Sequence, residues 1–249
     1  MKIGLIGFGK AGRAAAAVIL QNKSASLEWV LRRSTVLENR SAAEFLGIES
    51  SDPSLIYSLA HTPVAALLDE HPVDFIVDFS SETGIEAYGE EAAKRGVKIV
   101  SAASHYPEST VEYLQELSKR TVVFWSANIT LGVNFIMYAA KFLKKIAPLA
   151  DIKVSEEHFK EKKGISGTAK IIATVLDINE QDINTTRVGG IVGRHEIVFG
   201  FPYQTVRLVH DSISREAFGN GALFAATNLT DKTTGFYRFE DILRPYFFM

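Results

Sequence analysis

At 249 residues, 47% hydrophobic and 22% charged, the chain has a globular composition with room for one large core or two modest ones. A formal net charge of −2 provides no basic field, so neither nucleic acid nor an anionic membrane surface is an expected partner. Cysteine is absent, which excludes disulfides, thiolate nucleophiles and Cys-ligated metals, and neither a membrane-length apolar run nor a cleavable leader pattern is visible, so a cytoplasmic protein is expected.

Lys2 to Ile6 is a short apolar run of the kind that forms a buried parallel strand. It leads into Gly7-Phe8-Gly9-Lys10-Ala11-Gly12, a G-x-G-x-x-G, and then an Ala-rich helical pattern from Arg13 to Leu20. Strand, glycine turn and helix are the context this motif needs: Gly7 for the turn, Gly9 for close approach of a pyrophosphate, Gly12 for helix packing. The next strand, Leu27 to Leu31, ends in Arg32-Arg33, where such folds meet the adenosine ribose. An acid there would accept from a ribose 2′-hydroxyl, whereas two guanidiniums suit a 2′-phosphate. NADPH is therefore the expected cofactor, with NADH left open.

Residues 36–72 carry weaker signals, a turn at Ser51-Asp-Pro-Ser and a short helix from Val64 to Leu68. Strands at 74–79, 97–100 and 122–125 then alternate with helices at 83–95 and 109–119, the pattern of a doubly wound parallel sheet. Ligands bind beyond the carboxyl ends of such strands. That nominates Phe79 and Ser80, Ser101, Ala102 and Ala103, and Ser126, Ala127, Asn128 and Ile129 as cofactor contacts.

A helix from Leu131 to Ile146 leads into a strand-like run, Asp151 to Glu157, and a densely polar loop carrying His158. Ser166-Gly167-Thr168 then opens an apolar helix running to Leu176. Backbone N–H groups at that helix start, beside an imidazole, suit a small anion next to a proton donor. β segments at 185–192, 196–201 and 205–210 follow without intervening helices, implying an antiparallel or mixed sheet and a second domain. Helices at 215–228 and 239–243 complete the chain. The expected fold is α/β, a Rossmann-type sheet of residues 1–129 and 222–249 plus an α+β substrate and oligomerisation domain of 130–221. The aromatic tail (Phe236, Tyr237, Tyr246, Phe247 and Phe248) is expected to pack against the first domain or a neighbouring subunit.

The residues in combination resemble the 4-hydroxy-tetrahydrodipicolinate reductase (dihydrodipicolinate reductase) family. The resemblance rests on the glycine motif, Val77-Asp-Phe-Ser80, Ala127-Asn128, Gly132-Val-Asn134 and Glu156-x-His158. It continues through Ser166-Gly-Thr-Ala169, Gly190-Ile-Val-Gly-x-His195 and Ser214-Arg215-x-x-Phe218. It implies an NAD(P)H-dependent reductase of lysine and diaminopimelate biosynthesis, a small dicarboxylate substrate and a homotetramer. It also implies a catalytic histidine and lysine four residues apart, before Ser-Gly-Thr. Counting forward from Asp151 puts His158 and Lys162 there, whereas counting back from Ser166 puts Glu157 and Glu161 there. The forward count is preferred because Glu156 and the His-x-x-x-Lys spacing agree with it. Ser166, Gly167 and Thr168 are the implied carboxylate-binding residues.

The chain departs from the family pattern where a second histidine becomes Phe159 and a Gly-Thr-Thr-Gly becomes Ser101-Ala-Ala-Ser104. Two alternatives follow: a reductase of a different small imine or enone carboxylate, or a non-catalytic NADP-binding regulator.

Overall fold

The computed structural model describes residues 1–247 of the chain, so Phe248 of the aromatic tail lies outside the described residues. The chain divides into two compact units, one of Met1–Thr130 together with the segment from Arg215 on, the other of Leu131–Ser214. The second unit therefore closes at Ser214, whereas the sequence pattern puts the return at residue 222.

The first unit is built on a seven-stranded parallel sheet in the order β11-β6-β5-β4-β1-β2-β3. Its strands are β1 (Lys2–Ile6), β2 (Ser26–Arg32), β3 (Leu55–Ser58), β4 (Phe75–Asp78), β5 (Lys98–Ser101), β6 (Val122–Trp125) and β11 (Gly235–Tyr237). The central strands are buried along their length because helices cover both faces, which is why they read as unbroken apolar runs. Trp29 shows how tightly one face packs. A Cβ on Gly4 would lie 2.2 Å from its ring, and the β1–β2 register shifts between Ile3 and Gly4 at that point. The indole N–H then donates to the carbonyl of His71 at 3.0 Å.

Helices α1 (Lys10–Leu20), α2 (Ala42–Leu46), α3 (Val64–Glu70), α4 (Gly89–Lys94) and α5 (Glu108–Leu117) link the strands. The expected helix over 83–95 is interrupted, with a 3₁₀ turn at Gly84–Ala87 preceding α4. Two elements, α2 and β3, lie inside the stretch that carried only weak signals. After the second unit, α8 (Glu216–Asn228) packs on α1, where Gly219 brings the helices close. A Cβ there would stand 2.8 Å from Val18 and 2.9 Å from Ala15. Phe236 and Tyr237 of the aromatic tail form β11 at the sheet edge, and Tyr246 and Phe247 belong to α9 (Phe239–Phe247).

The second unit holds α6 (Leu131–Ile146), β7 (Asp151–His158), α7 (Gly167–Val175), β8 (Asn184–Arg187), β9 (Arg194–Phe201) and β10 (Gln204–Asp211). The sheet order is β10-β9-β7-β8, antiparallel except for the parallel β7–β8 pair. One face packs Val154, Ile197 and Phe199 against Val133, Ile136 and Ala140 of α6 and Ile172 of α7. Two expectations need correction. The β segment expected over 185–192 ends at Arg187, because Gly189 takes a φ of +53° and turns the chain out of the sheet. His158 is the last residue of β7 rather than part of the loop, so the alternation of that strand decides where its ring points.

Candidate active site

The glycine motif has steric reasons at two positions and an opening at the third. Gly7, at φ +89°, leaves only 2.7 Å between a would-be Cβ and the carbonyl of Phe79. A Cβ on Gly12 would lie 2.2 Å from the carbonyl oxygen of Gly7, whereas one on Gly9 would meet nothing within 4 Å. Gly7 and Gly12 thus let the turn close on itself. Gly9 leaves the start of α1 bare, with first-turn N–H groups and no capping side chain. The turn is braced behind by Phe8, which is buried, packs on Phe45 and accepts at its carbonyl from Arg13 Nε.

Beyond the strand ends, a cleft of about 510 Å³ is lined by Ala11, Phe79, Ser80, Ala102, Ala103, Ala127, Asn128 and Ile129 among the residues expected there. Ser81, Glu82, Ser104, His105 and Phe218 join them. Ser101 and Ser126 do not line it. Ser101 is fully buried, its hydroxyl 2.8 Å from Tyr106 Oη, and Ser126 donates to the carbonyl of Asn128 at 2.6 Å. Both hold the wall from behind, as does Trp125, whose indole N–H donates to Ala103 O at 2.8 Å. The Phe79–Ser81 wall hangs on Asp78, a fully buried carboxylate accepting from Ser80 N (2.7 Å), Ser80 Oγ (2.6 Å) and Tyr88 Oη (2.8 Å). Burial pushes the Asp78 carboxyl upward against the three donors that favour its ionised form. At the end of β2, Arg32 donates to the carbonyl of Val36 at 2.8 Å, and Arg33 is exposed.

The second unit carries a polar cluster at one end of its apolar face. Register explains it: Glu156 pairs with His195, His195 with His210, and His158 with Arg187 across adjoining strands. Val154, Glu156 and His158 alternate onto the buried side of β7, which continues from hydrocarbon into charge. Glu156 is 1% exposed. Its carboxylate accepts from both Nη atoms of Arg187, at 3.0 and 2.6 Å, and bonds His158 Nδ1. The Ser166 N–H adds a longer contact at 3.4 Å. Burial works to raise the Glu156 pKa, but the hydrogen bonds from Arg187 and His158 outweigh it and hold the carboxyl below its ordinary range.

An ionised carboxylate only accepts, so Nδ1 of His158 carries the hydrogen and Nε2 is the nitrogen left for chemistry. Burial lowers the His158 pKa against the upward pull of Glu156, with Lys162 and Arg187 adding to the lowering. Gly193 faces that ring, since a Cβ there would lie 2.9 Å from Nε2.

Ser166 caps α7, accepting from Ala169 N at 3.0 Å, and its Oγ lies 2.9 Å from His195 Nε2. His195 is buried, and its pKa falls to about 4, first through desolvation and then through the nearby His158, so the ring is neutral at pH 7. Gly167 begins the helix with nothing within 4 Å of a would-be Cβ. Lys162 and Thr168 are half-buried beside this cluster in sequence, Glu161 is exposed, and Glu157 alternates away from the buried face of β7. His158, not Glu157, therefore shares a face with Glu156. Sequence reading overlooked Arg187 and gave His195 no role, although His195 and Gly193 both belong to a motif it singled out.

Comparison with known proteins covers both units. The family model "Dihydrodipicolinate reductase, N-terminus" matches residues 1–129, and "Dihydrodipicolinate reductase, C-terminus" matches residues 129–243. The 4-hydroxy-tetrahydrodipicolinate reductase of Caldanaerobacter subterraneus subsp. tengcongensis is 33% identical over 193 residues, covering 69% of this chain and 77% of that protein. The enzyme of the same name from Thermosipho africanus is 31% identical over 193 residues, covering 75% and 88%. Among solved structures, a dipicolinate-bound dihydrodipicolinate reductase from Paenisporosarcina sp. TG-14 superposes with a TM-score of 0.79. That match has 18% identity and covers 96% of this chain and 97% of the other.

Proposed function

The chain belongs to the dihydrodipicolinate reductase family, and on that premise we propose that it reduces 4-hydroxy-tetrahydrodipicolinate with NADPH. The observation that carries this reading is the buried Glu156–His158 pair in the same unit as the Ser166-capped start of α7. A proton donor and an anion-binding helix end are what reduction of a dicarboxylate requires from the protein. When bound, the nicotinamide supplies the hydride.

The residues divide the remaining work. Gly7, Gly9, Gly12 and the bare start of α1 receive the pyrophosphate, and Gly9 has the open space it needs. Arg32 and Arg33 clamp the 2′-phosphate, which is the basis for NADPH over NADH. The N–H groups of Gly167 and Thr168 and the ammonium of Lys162 bind a substrate carboxylate, with Ser166 holding the helix start in place. His158, in its protonated form, delivers the Nε2 proton to the carbon or nitrogen next to the position that takes hydride. Its Nδ1–H stays on the Glu156 carboxylate, so the ring is left as the neutral Nδ1–H tautomer and regains its proton from solvent. Complementation of a strain lacking the lysine-pathway reductase tests the whole reading, and growth without diaminopimelate or lysine is the expected result.

Phe159, 41% exposed, and the alanines Ala102 and Ala103 on the cleft wall favour a second reading. An aromatic and two methyls offer no hydrogen bond, which suits a less polar imine or enone carboxylate. Failed complementation together with NADPH oxidation on such a substrate would select it.

A further inference from the structure

We infer that Arg187 is a positioning residue that governs the acid His158 and the Lys162 loop together, neutralising Glu156 while tying down the loop backbone. The inference rests on the reading of His158 as proton donor and deepens it.

Arg187 closes β8 directly opposite His158 in parallel register, so its side chain reaches the face that carries Glu156 and His158. Nη1 and Nη2 take the two carboxylate oxygens of Glu156. Nε donates to the carbonyl of Lys162 at 3.0 Å, and Nη2 also donates to the carbonyl of Gly164. With Nη1 also donating to the carbonyl of Thr186 at 2.8 Å, a carboxylate and three backbone carbonyls are held at once, which a planar guanidinium can do and a lysine ammonium, with three donors radiating from one point, cannot.

Two consequences follow. The first is electrostatic. His158 is faced by Glu156 from its own strand, Arg187 from β8, His195 from β9 with ring centroids 5.4 Å apart, and Lys162 from the following loop. Glu156 is the one anion among them, and Arg187 compensates it. Without that cation the Glu156–His158 pair would hold a shared proton to higher pH, making His158 a weaker acid. The second is geometric. The loop packs three lysines, Lys160, Lys162 and Lys163, into four residues with one glutamate between them. Its start is fixed by Val188 N–H donating to His158 O and Lys160 N–H donating to Gly189 O. Arg187 holds the part that follows, where Lys162 lies.

The test uses Arg187→Gln, Arg187→Lys and His158→Gln in the full chain. Nitrogen-detected NMR follows the His158 ring, and steady-state kinetics give kcat and KM for the dicarboxylate. In Arg187→Gln the His158 pKa should rise by about one unit, and KM should rise about tenfold, the equivalent of one good hydrogen bond. Arg187→Lys keeps the charge and loses the fork, so the His158 titration should stay near that of the parent while KM rises as in the glutamine variant. A folded Arg187→Gln with parental titration and parental KM overturns the inference. If the glutamine variant fails to fold, parental KM in Arg187→Lys overturns it instead. His158→Gln separates the two readings: full turnover in that variant removes the proton-donor role, whereas the NMR shift in Arg187→Gln is read without turnover.

Discussion

Glu156→Gln replaces one oxygen of the most enclosed carboxylate in the second unit with an amide, nearly without change of shape. The carboxylate takes a two-pronged contact from Arg187 and a bond from His158 Nδ1. The amide can accept on one side only, and its N–H₂ would face an N–H of Arg187 or His158. At least one charge-assisted bond is lost, at about 1.5–3 kcal/mol each, and Arg187 keeps its charge without a counterion. Breaking a buried pair from one side costs about 3–5 kcal/mol. The lower end applies here, because Arg187 is 20% exposed and retains the carbonyls of Lys162, Gly164 and Thr186. A loss of about 3 kcal/mol lowers Tm by roughly 6–12 °C for a chain of this size.

The pH dependence has a definite sign. A carboxyl whose folded pKa is depressed stabilises the fold above its unfolded pKa and loses that contribution as pH falls through the folded value. The glutamine variant should therefore lose stability chiefly at neutral pH and converge on the parent in acid. Its His158 should titrate lower than in the parent, having lost the group that pulls its pKa upward. Thermal melts from pH 3 to 8 with parallel NMR of the ring would measure both effects. A variant melting within 1–2 °C of the parent at pH 7 (well under the 6–12 °C worked above), with an unmoved His158, would refute the account of this cluster.

Three further outcomes are expected. His195, with its pKa reduced from 6.5 to about 4, takes up its proton in the unfolded chain first, so stability should fall as pH drops from 6.5 toward 4. The full effect is about 3 kcal/mol, and His195→Gln should flatten that part of the stability–pH curve; an unchanged slope would contradict it. Arg32→Ala with Arg33→Ala should weaken NADPH at least tenfold, from the loss of one charge-assisted bond or more, and leave NADH nearly untouched. Equal weakening by calorimetry would remove the 2′-phosphate assignment. Gly12→Ala drives a methyl to within 2.2 Å of the Gly7 carbonyl, so it should destabilise by about 1–3 kcal/mol and abolish cofactor binding; a parental melt with parental affinity would refute the packing argument.

Much of the first unit was legible because parallel strands buried on both faces leave long apolar signatures, and because the glycine motif joins one such strand to a helix. The strands β3 and β11 escaped because each lies at an edge of the sheet and is only partly buried, so neither carries the unbroken apolar run that marks the equally short β4, β5 and β6. Ser101 and Ser126 read as ligand contacts from their strand-end positions. Their hydroxyls turn instead to partners within the following loop, Tyr106 five residues on and the carbonyl of Asn128 two residues on, a local turn that strand-end position alone does not reveal. In the second unit, Glu156-x-His158 was visible as a motif, and the period of a strand turns that spacing into a shared face. Arg187 was hidden because its partners, Glu156 and the Lys162 loop, come from β7 and beyond. Only the parallel β7–β8 pairing joins them. Gly193 stood in a motif without a stated reason, which the His158 ring against its Cα provides.

The central claim is that His158 protonates a dicarboxylate while the chain's glycine turn holds the reductant. Its most direct test is His158→Gln, with turnover on 4-hydroxy-tetrahydrodipicolinate and NADPH affinity measured on the same preparation. The account predicts a fall in kcat of about 10²–10⁴-fold with NADPH binding within twofold of the parent. Parental kcat, or an equal loss of turnover and cofactor affinity, would contradict it.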